Sequence, residues 1–159
     1  MIGVLATLVL LSSTCYQQPV HSPVVDPFRA PACAFCSGNR GLEYQPHAGS
    51  PVFAAAAGVV TFSGLVAGVR YLVVVQTDGR TATYGRLAVV RVPMGATVRP
   101  GETVGATTER FYFGLRQGDR YLDPAPFLGV ARYRPRLVPV DGSAPRPARP
   151  PTMACAASP

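Results

Sequence analysis

From Pro51 onward, apolar runs and alternating apolar–polar segments of strand length recur about every eight to twelve residues, separated by Gly- or Pro-bearing turns. The stretch "PVFAAAAGVVTFSG" is an apolar run broken by Gly58 and ended by Ser63-Gly64. Its four alanines favour a helix, but Pro51 before them and the β-branched Val59, Val60 and Thr61 after them predict strands with a turn. "RYLVVVQ" (Arg70 to Gln76) is rich in β-formers and "TATYGRL" (Thr81 to Leu87) alternates. Asp78-Gly79 between them is the strongest hairpin signal in the chain. "GATVRPGETVGAT" holds two short valine-bearing segments joined at Pro100-Gly101. "RFYFGLRQGDRYLDP" predicts a strand, a turn at Gln117-Gly118-Asp119 and a short last strand. No segment carries a convincing helical period. The predicted class is all-β, a compact antiparallel sandwich or barrel-sandwich hybrid.

The flanks differ in kind. Ile2 to Leu11 is a continuous apolar run, too short to span a bilayer and of the length of a signal-peptide core, although no basic residue precedes it. Residues 1–15 are therefore read as a signal-like segment, which implies a secreted or cell-envelope location. "LSSTC" loosely resembles a lipoprotein cleavage site, which leaves a lipid anchor at Cys15 as the minority alternative. Residues 16–32 read as a Pro-rich linker, 33–129 as the folded domain and 130–159 as a disordered Pro/Arg-rich tail.

Composition sharpens this picture in two respects. With 48% apolar residues in 159, one domain can bury a real core. All 15 basic residues are Arg, and +4 of the formal +7 charge falls after Gly129. A solvated tail is the plain reading of that bias, and loose attraction to a polyanion the functional one. Neither a recognition helix nor a run of aromatics accompanies these arginines, so nucleic acid is not expected as a partner.

Cys33 and Cys36 form a C-x-x-C, open to reading as a redox pair, half a zinc site or a local disulfide. No second C-x-x-C exists, His21 and His47 lack ligand spacing, and Pro31 and Gly38 flank the motif in loop-like sequence. A small disulfide pinning the loop is the prediction for an exported chain. Cys15 is expected to leave with the leader or to lie in a disordered segment, and Cys155 to be unpaired in the tail.

The order "NRGLEY…GSPVFAAAAGVVTFSG…YLVVVQTDGRTATYGRL…GATVRPGETVG…RFYFGLRQGDRYLDP" resembles the LytM/lysostaphin-type zinc endopeptidases of bacterial cell walls, and most of all their short, secreted actinobacterial members. The resemblance runs over roughly Cys33 to Leu128. It implies a duplicated-hybrid-motif β-sandwich with a cleft over one sheet holding a single zinc. In that family an H-x-x-x-D loop motif supplies two zinc ligands and the second histidine of an H-x-H strand the third. The first histidine of that pair, with another from a Y-x-H-L strand, polarises the carbonyl or helps activate the zinc-bound water. Three protein ligands leave an open zinc position whose water titrates near about pH 7.

Position by position, the resemblance places Asn39 and Glu43 at the loop motif, Arg86 at the Y-x-H-L histidine, and Arg110 and Tyr112 at the H-x-H pair. Asn39 is a poor substitute for imidazole, whereas Glu43 remains an oxygen donor. Arg86 and Arg110 stay protonated at any relevant pH. At ~5 Å and an effective dielectric near 20, each opposes a divalent ion by several kcal/mol. The expectation is a domain that has lost zinc and catalysis. In it Asn39, Glu43, Arg86, Arg110 and Tyr112 bind a polar, carboxylate-bearing ligand, or Glu43 pairs internally with an arginine. The expected partner is peptidoglycan or another anionic wall polymer, with a wall hydrolase as a further candidate, because degenerate family members act as such regulators. The alternatives are an active zinc endopeptidase using Glu43, His47 and a third donor, and a purely structural domain retained by its basic tail.

Overall fold

The computed structural model describes residues 15–133 except Ala34, and from the tail 135, 139, 140, 142–144, 147, 150 and 152–156. The apolar segment Ile2–Leu11 lies outside the described residues. Among the described residues there is no α-helix; the only helical piece is a 3-10 turn at Ala125–Phe127.

Nine strands join one antiparallel sheet: β1 (Val24–Asp26), β2 (Gly41–Tyr44), β3 (Pro51–Phe53), β4 (Gly58–Val66), β5 (Val69–Gln76), β6 (Thr81–Val90), β7 (Thr97–Val98), β8 (Thr103–Gln117) and β9 (Arg120–Leu122). Their order is β1-β2-β8-β6-β5-β4-β7, with β3 and β9 pairing on the two ends of β8. A second sheet of two strands, β10 (Val130–Arg132) and β11 (Thr152–Ala154), lies outside this path.

The all-β antiparallel prediction holds. The Asp78-Gly79 hairpin joins β5 to β6, closed by Gln76 N–H donating to Arg80 O at 2.8 Å, with Gly79 at φ 83°. The "AAAA" run is a bend between β3 and β4, and its backbone partners explain why no helix forms there. Ala54 donates to Glu102 O, Ala55 donates to the Tyr84 hydroxyl at 2.8 Å, and Ala57 O accepts from Thr77. Groups that an α-helix would satisfy four residues away are satisfied across the sheet instead.

One finding departs from the pattern. The second valine segment and "RFYFGLRQ" are a single strand of 15 residues, β8, because no turn residue forces a break and register shifts opposite it in β6 absorb the strain. Strand parity then sets the core. Leu42, Tyr44, Phe111, Phe113, Leu115, Ala82, Tyr84, Leu72 and Val74 point inward and are buried, joined by Val52, Val60, Val98 and Val104 from the rest of the sheet.

Parts of both flanks join the fold. The segment read as a linker contains β1 and two core residues, Tyr16 and Val20. The tail read as disordered contributes the β10–β11 hairpin, and Cys155, expected to be unpaired, is bonded to Cys15. The physical reason is tertiary: Tyr16 bridges to Leu128, exchanges backbone bonds with Phe127 and Gly129, and donates its hydroxyl to Asp78 at the hairpin turn. Arg80 pairs with that carboxylate and lies 4.5 Å from the Phe127 ring centroid. A cysteine beside so fixed a tyrosine is held within reach of the returning tail. The Cys33–Cys36 disulfide is present as expected, in a loop whose ends are tied by Arg29 and Asn39.

Candidate functional site

The pleat that buries Tyr44, Phe113, Tyr84 and Leu72 turns their neighbours to the opposite, open face. Directly opposed residues share a face, so the pairings Tyr71↔Gly85, Gly85↔Tyr112 and Tyr112↔Glu43 lay those four residues in one row across β5, β6, β8 and β2. Arg86 follows at a bulge in β6, where its φ of 60° places a non-glycine residue in the left-handed region. That departure from the strand aims Arg86 at Glu43.

Arg86 grips the Glu43 carboxylate as a fork: Nη1 donates to Oε2 at 2.6 Å and Nη2 to Oε1 at 3.1 Å. Arg110 Nη2 adds one longer contact to Oε2 at 3.4 Å. The side chains are 16% exposed for Glu43, 35% for Arg86 and 67% for Arg110, so Arg110 is the solvent-facing member. Beyond them opens a groove of about 660 Å³, with Arg70, Arg86, Thr108 and Arg110 in its wall. Arg70 donates to Ala88 O, bracing that wall.

Tyr112 is half-buried, and burial, with Tyr121 and Tyr71 nearby, pushes its hydroxyl up to about 12. Asn39 does not face this cluster. Its amide nitrogen donates to the carbonyls of Asp26 and Pro27 at 3.2 and 3.1 Å, and its oxygen accepts from Gly41 N–H at 3.3 Å. It braces the loop against β1. His47 forms a turn with its carbonyl accepting from Ser50 and Thr107, and His21 sits edge-on to Phe53, far along the chain from the row.

The fold that carries this cluster is shared with known proteins. The model of Peptidase family M23 matches residues 37–124. The chain belongs to this family. Among solved structures, this M23 domain is similar to Csd3 of Helicobacter pylori at TM-score 0.65 and 20% identity, over 74% of this chain and 35% of that one. A zinc containing peptidase from Vibrio cholerae matches at 0.61 and 19%, over 70% and 40%. The catalytic domain of the antimicrobial peptidase lysostaphin from Staphylococcus simulans matches at 0.58 and 18%, over 67% and 91%. The M23 domain thus spans little more than a third of the first two relatives. No curated protein matches it.

The family implies zinc, and the donors at the corresponding positions do not fit it. Zinc takes imidazole, thiolate or carboxylate. The residues that the motif order sets there are an amide spent on backbone groups, a carboxylate forked by Arg86 and touched by Arg110, and a phenol held in its neutral form. Among the described residues no group of three His, Cys, Asp or Glu side chains is placed to hold a metal.

Sequence reasoning missed Tyr71 and the glycines beneath the row. The signal was present: Gln76 and Arg80 close the hairpin, and stepping equally far back and forward from them pairs Tyr71 with Gly85.

Proposed function

We propose that this M23 domain is a non-catalytic module of the cell envelope that binds peptidoglycan, or a hydrolase acting on it, through the Glu43–Arg86–Arg110 cleft. The observation that carries the reading is the bidentate grip of Arg86 on Glu43, which occupies both carboxylate oxygens where a metal ligand would stand. Guanidinium forks select carboxylates, and stem peptides carry them. Arg110 holds Glu43 by one long contact only, so an incoming carboxylate displaces little to reach it.

The test is a zinc-content measurement on the purified chain after incubation with Zn²⁺ and dialysis, with hydrolysis of cross-linked peptidoglycan followed in parallel. Metal well below one equivalent and no released peptide are expected. Stoichiometric zinc, lost together with hydrolysis in Glu43→Ala, would sink the proposal. Co-sedimentation with peptidoglycan should weaken in Arg86→Ala and Arg110→Ala. Binding that ignores both changes and vanishes only on removal of the tail places the contact elsewhere.

A further inference from the structure

The row beside this cleft has a geometry the ion pair does not use. Tyr112 lies flat along the sheet. A Cβ on Gly41 would come within 2.8 Å of its Cε2 and Cζ, and one on Gly114 within 2.6 Å of its hydroxyl oxygen. Any side chain at either position would lift the ring. A Cβ on Gly85 would meet Tyr71 Cε1 at 2.6 Å and Tyr112 Cδ1 at 3.3 Å, so the two rings meet above that residue. Together they form an aromatic ledge from β5 to β2, lying on the open face. The adjoining row is Val73, Thr83, Gly114 and Gly41. At the far end Tyr121, paired with Arg116, carries the Arg40 guanidinium 5.5 Å from its ring centroid. At the near end stand Arg86 and Arg110 and the mouth of the groove.

We infer that this ledge is a binding site for an acidic saccharide, with a pyranose ring stacked on Tyr112 and Tyr71 and its carboxylate paired with Arg110. The apolar C–H face of a pyranose matches a ring laid flat, and the Tyr71 hydroxyl, Thr83 and the Glu43 carboxylate supply partners for sugar hydroxyls. Charge complementarity makes the saccharide acidic, since Arg40, Arg86, Arg110 and Arg116 surround the ledge against Glu43, with Glu109 in the groove wall and Asp26, already paired with Arg29, beside Glu43. A single-stranded nucleic acid fits less well. Its phosphates need a basic track beside the stacked bases, and here the row next to the rings holds no cation while Glu43 closes one end. The inference shares Arg110 with the function proposed above but does not rest on the loss of catalysis.

The chain contains no Trp, so Tyr112→Trp installs one indole on the ledge as a reporter. Titration of this full-length variant with an oligogalacturonate should give a saturable emission shift, and a neutral galactose oligomer of equal length a weaker one. By calorimetry, Arg110→Gln should lose about tenfold in affinity for the acidic oligomer and leave the neutral one unchanged. Tyr112→Phe should retain binding of both. Tyr112→Ala, shown to be folded by circular dichroism, should lose both. The site is refuted by an absence of saturable oligogalacturonate binding, by wild-type affinity in a folded Tyr112→Ala, or by tighter binding of a single-stranded oligonucleotide. Zinc uptake by the chain would overturn the non-catalytic reading and leave this result standing.

Discussion

Tyr84 shows how much of the domain hangs on single polar atoms. Its ring is fully buried 5.2 Å from Phe113, and its hydroxyl oxygen accepts the Ala55 N–H that no sheet partner takes. Burial pushes the hydroxyl far above the ordinary tyrosine range, so it stays neutral. Tyr84→Phe keeps the packing but orphans a buried N–H, and should lower stability by about 1–3 kcal/mol. A reduced urea midpoint at unchanged slope would report it. At this scale the motif order picked out Glu43, Arg110 and Tyr112 as strand positions, and Arg86, which reaches Glu43 from a bulge rather than by strand parity. It did not reveal that Asn39 turns away. The carbonyls that hold its amide belong to Asp26 and Pro27, in a stretch whose prolines read as linker. Nor does any local pattern show that Gly41 comes to lie under the Tyr112 ring, since that depends on the register of β2 on β8.

Elements were legible where turn chemistry is strong. Asp78-Gly79 fixed both β5 and β6, whereas the break expected before "RFYFGLRQ" does not exist because polar Thr107, Thr108 and Glu109 continue the strand rather than end it. The same hairpin turn is the anchor for Tyr16, and this gives the terminal clasp a pH signature. Burial alone would raise Asp78, but hydrogen bonds from Tyr16 and the Arg80 backbone, with the Arg80 charge, hold it below its ordinary 3.8. A depressed carboxyl stabilises the fold above its unfolded value and loses that contribution as pH falls through the folded one. Tyr16 is raised by burial and by its bond to Asp78, which costs stability once pH exceeds its ordinary 10.0. Unfolding experiments should therefore show a plateau between these limits, with losses beginning below about pH 3.8 and above about pH 10. In Asp78→Asn the acid-side loss should shrink. An unchanged acid limb would show that the clasp does not titrate through this residue.

At the scale of the whole molecule, the terminal segments complete the fold. Tyr16, Leu128 and the β10–β11 hairpin meet around the Cys15–Cys155 bond, whose partners are 140 residues apart. Neither cysteine announced this pairing in the sequence, since each sits among turn-forming, weakly patterned residues and only tertiary contacts bring them together. Cys155→Ser should cost about 2–4 kcal/mol of stability, chiefly by freeing the unfolded chain. Under full reduction, which also opens Cys33–Cys36 in both proteins, wild type and variant should share one midpoint, and equal midpoints for the two oxidised proteins would argue against the bond. The bond also decides how the protein bears load. Tension applied between residues 15 and 155 runs through one sulfur–sulfur link, while the intervening chain, roughly 480 Å long when extended at about 3.4 Å per residue, stays slack. Oxidised, the domain behaves as a short inextensible link that keeps its cleft intact under strain; reduced, it becomes a spring.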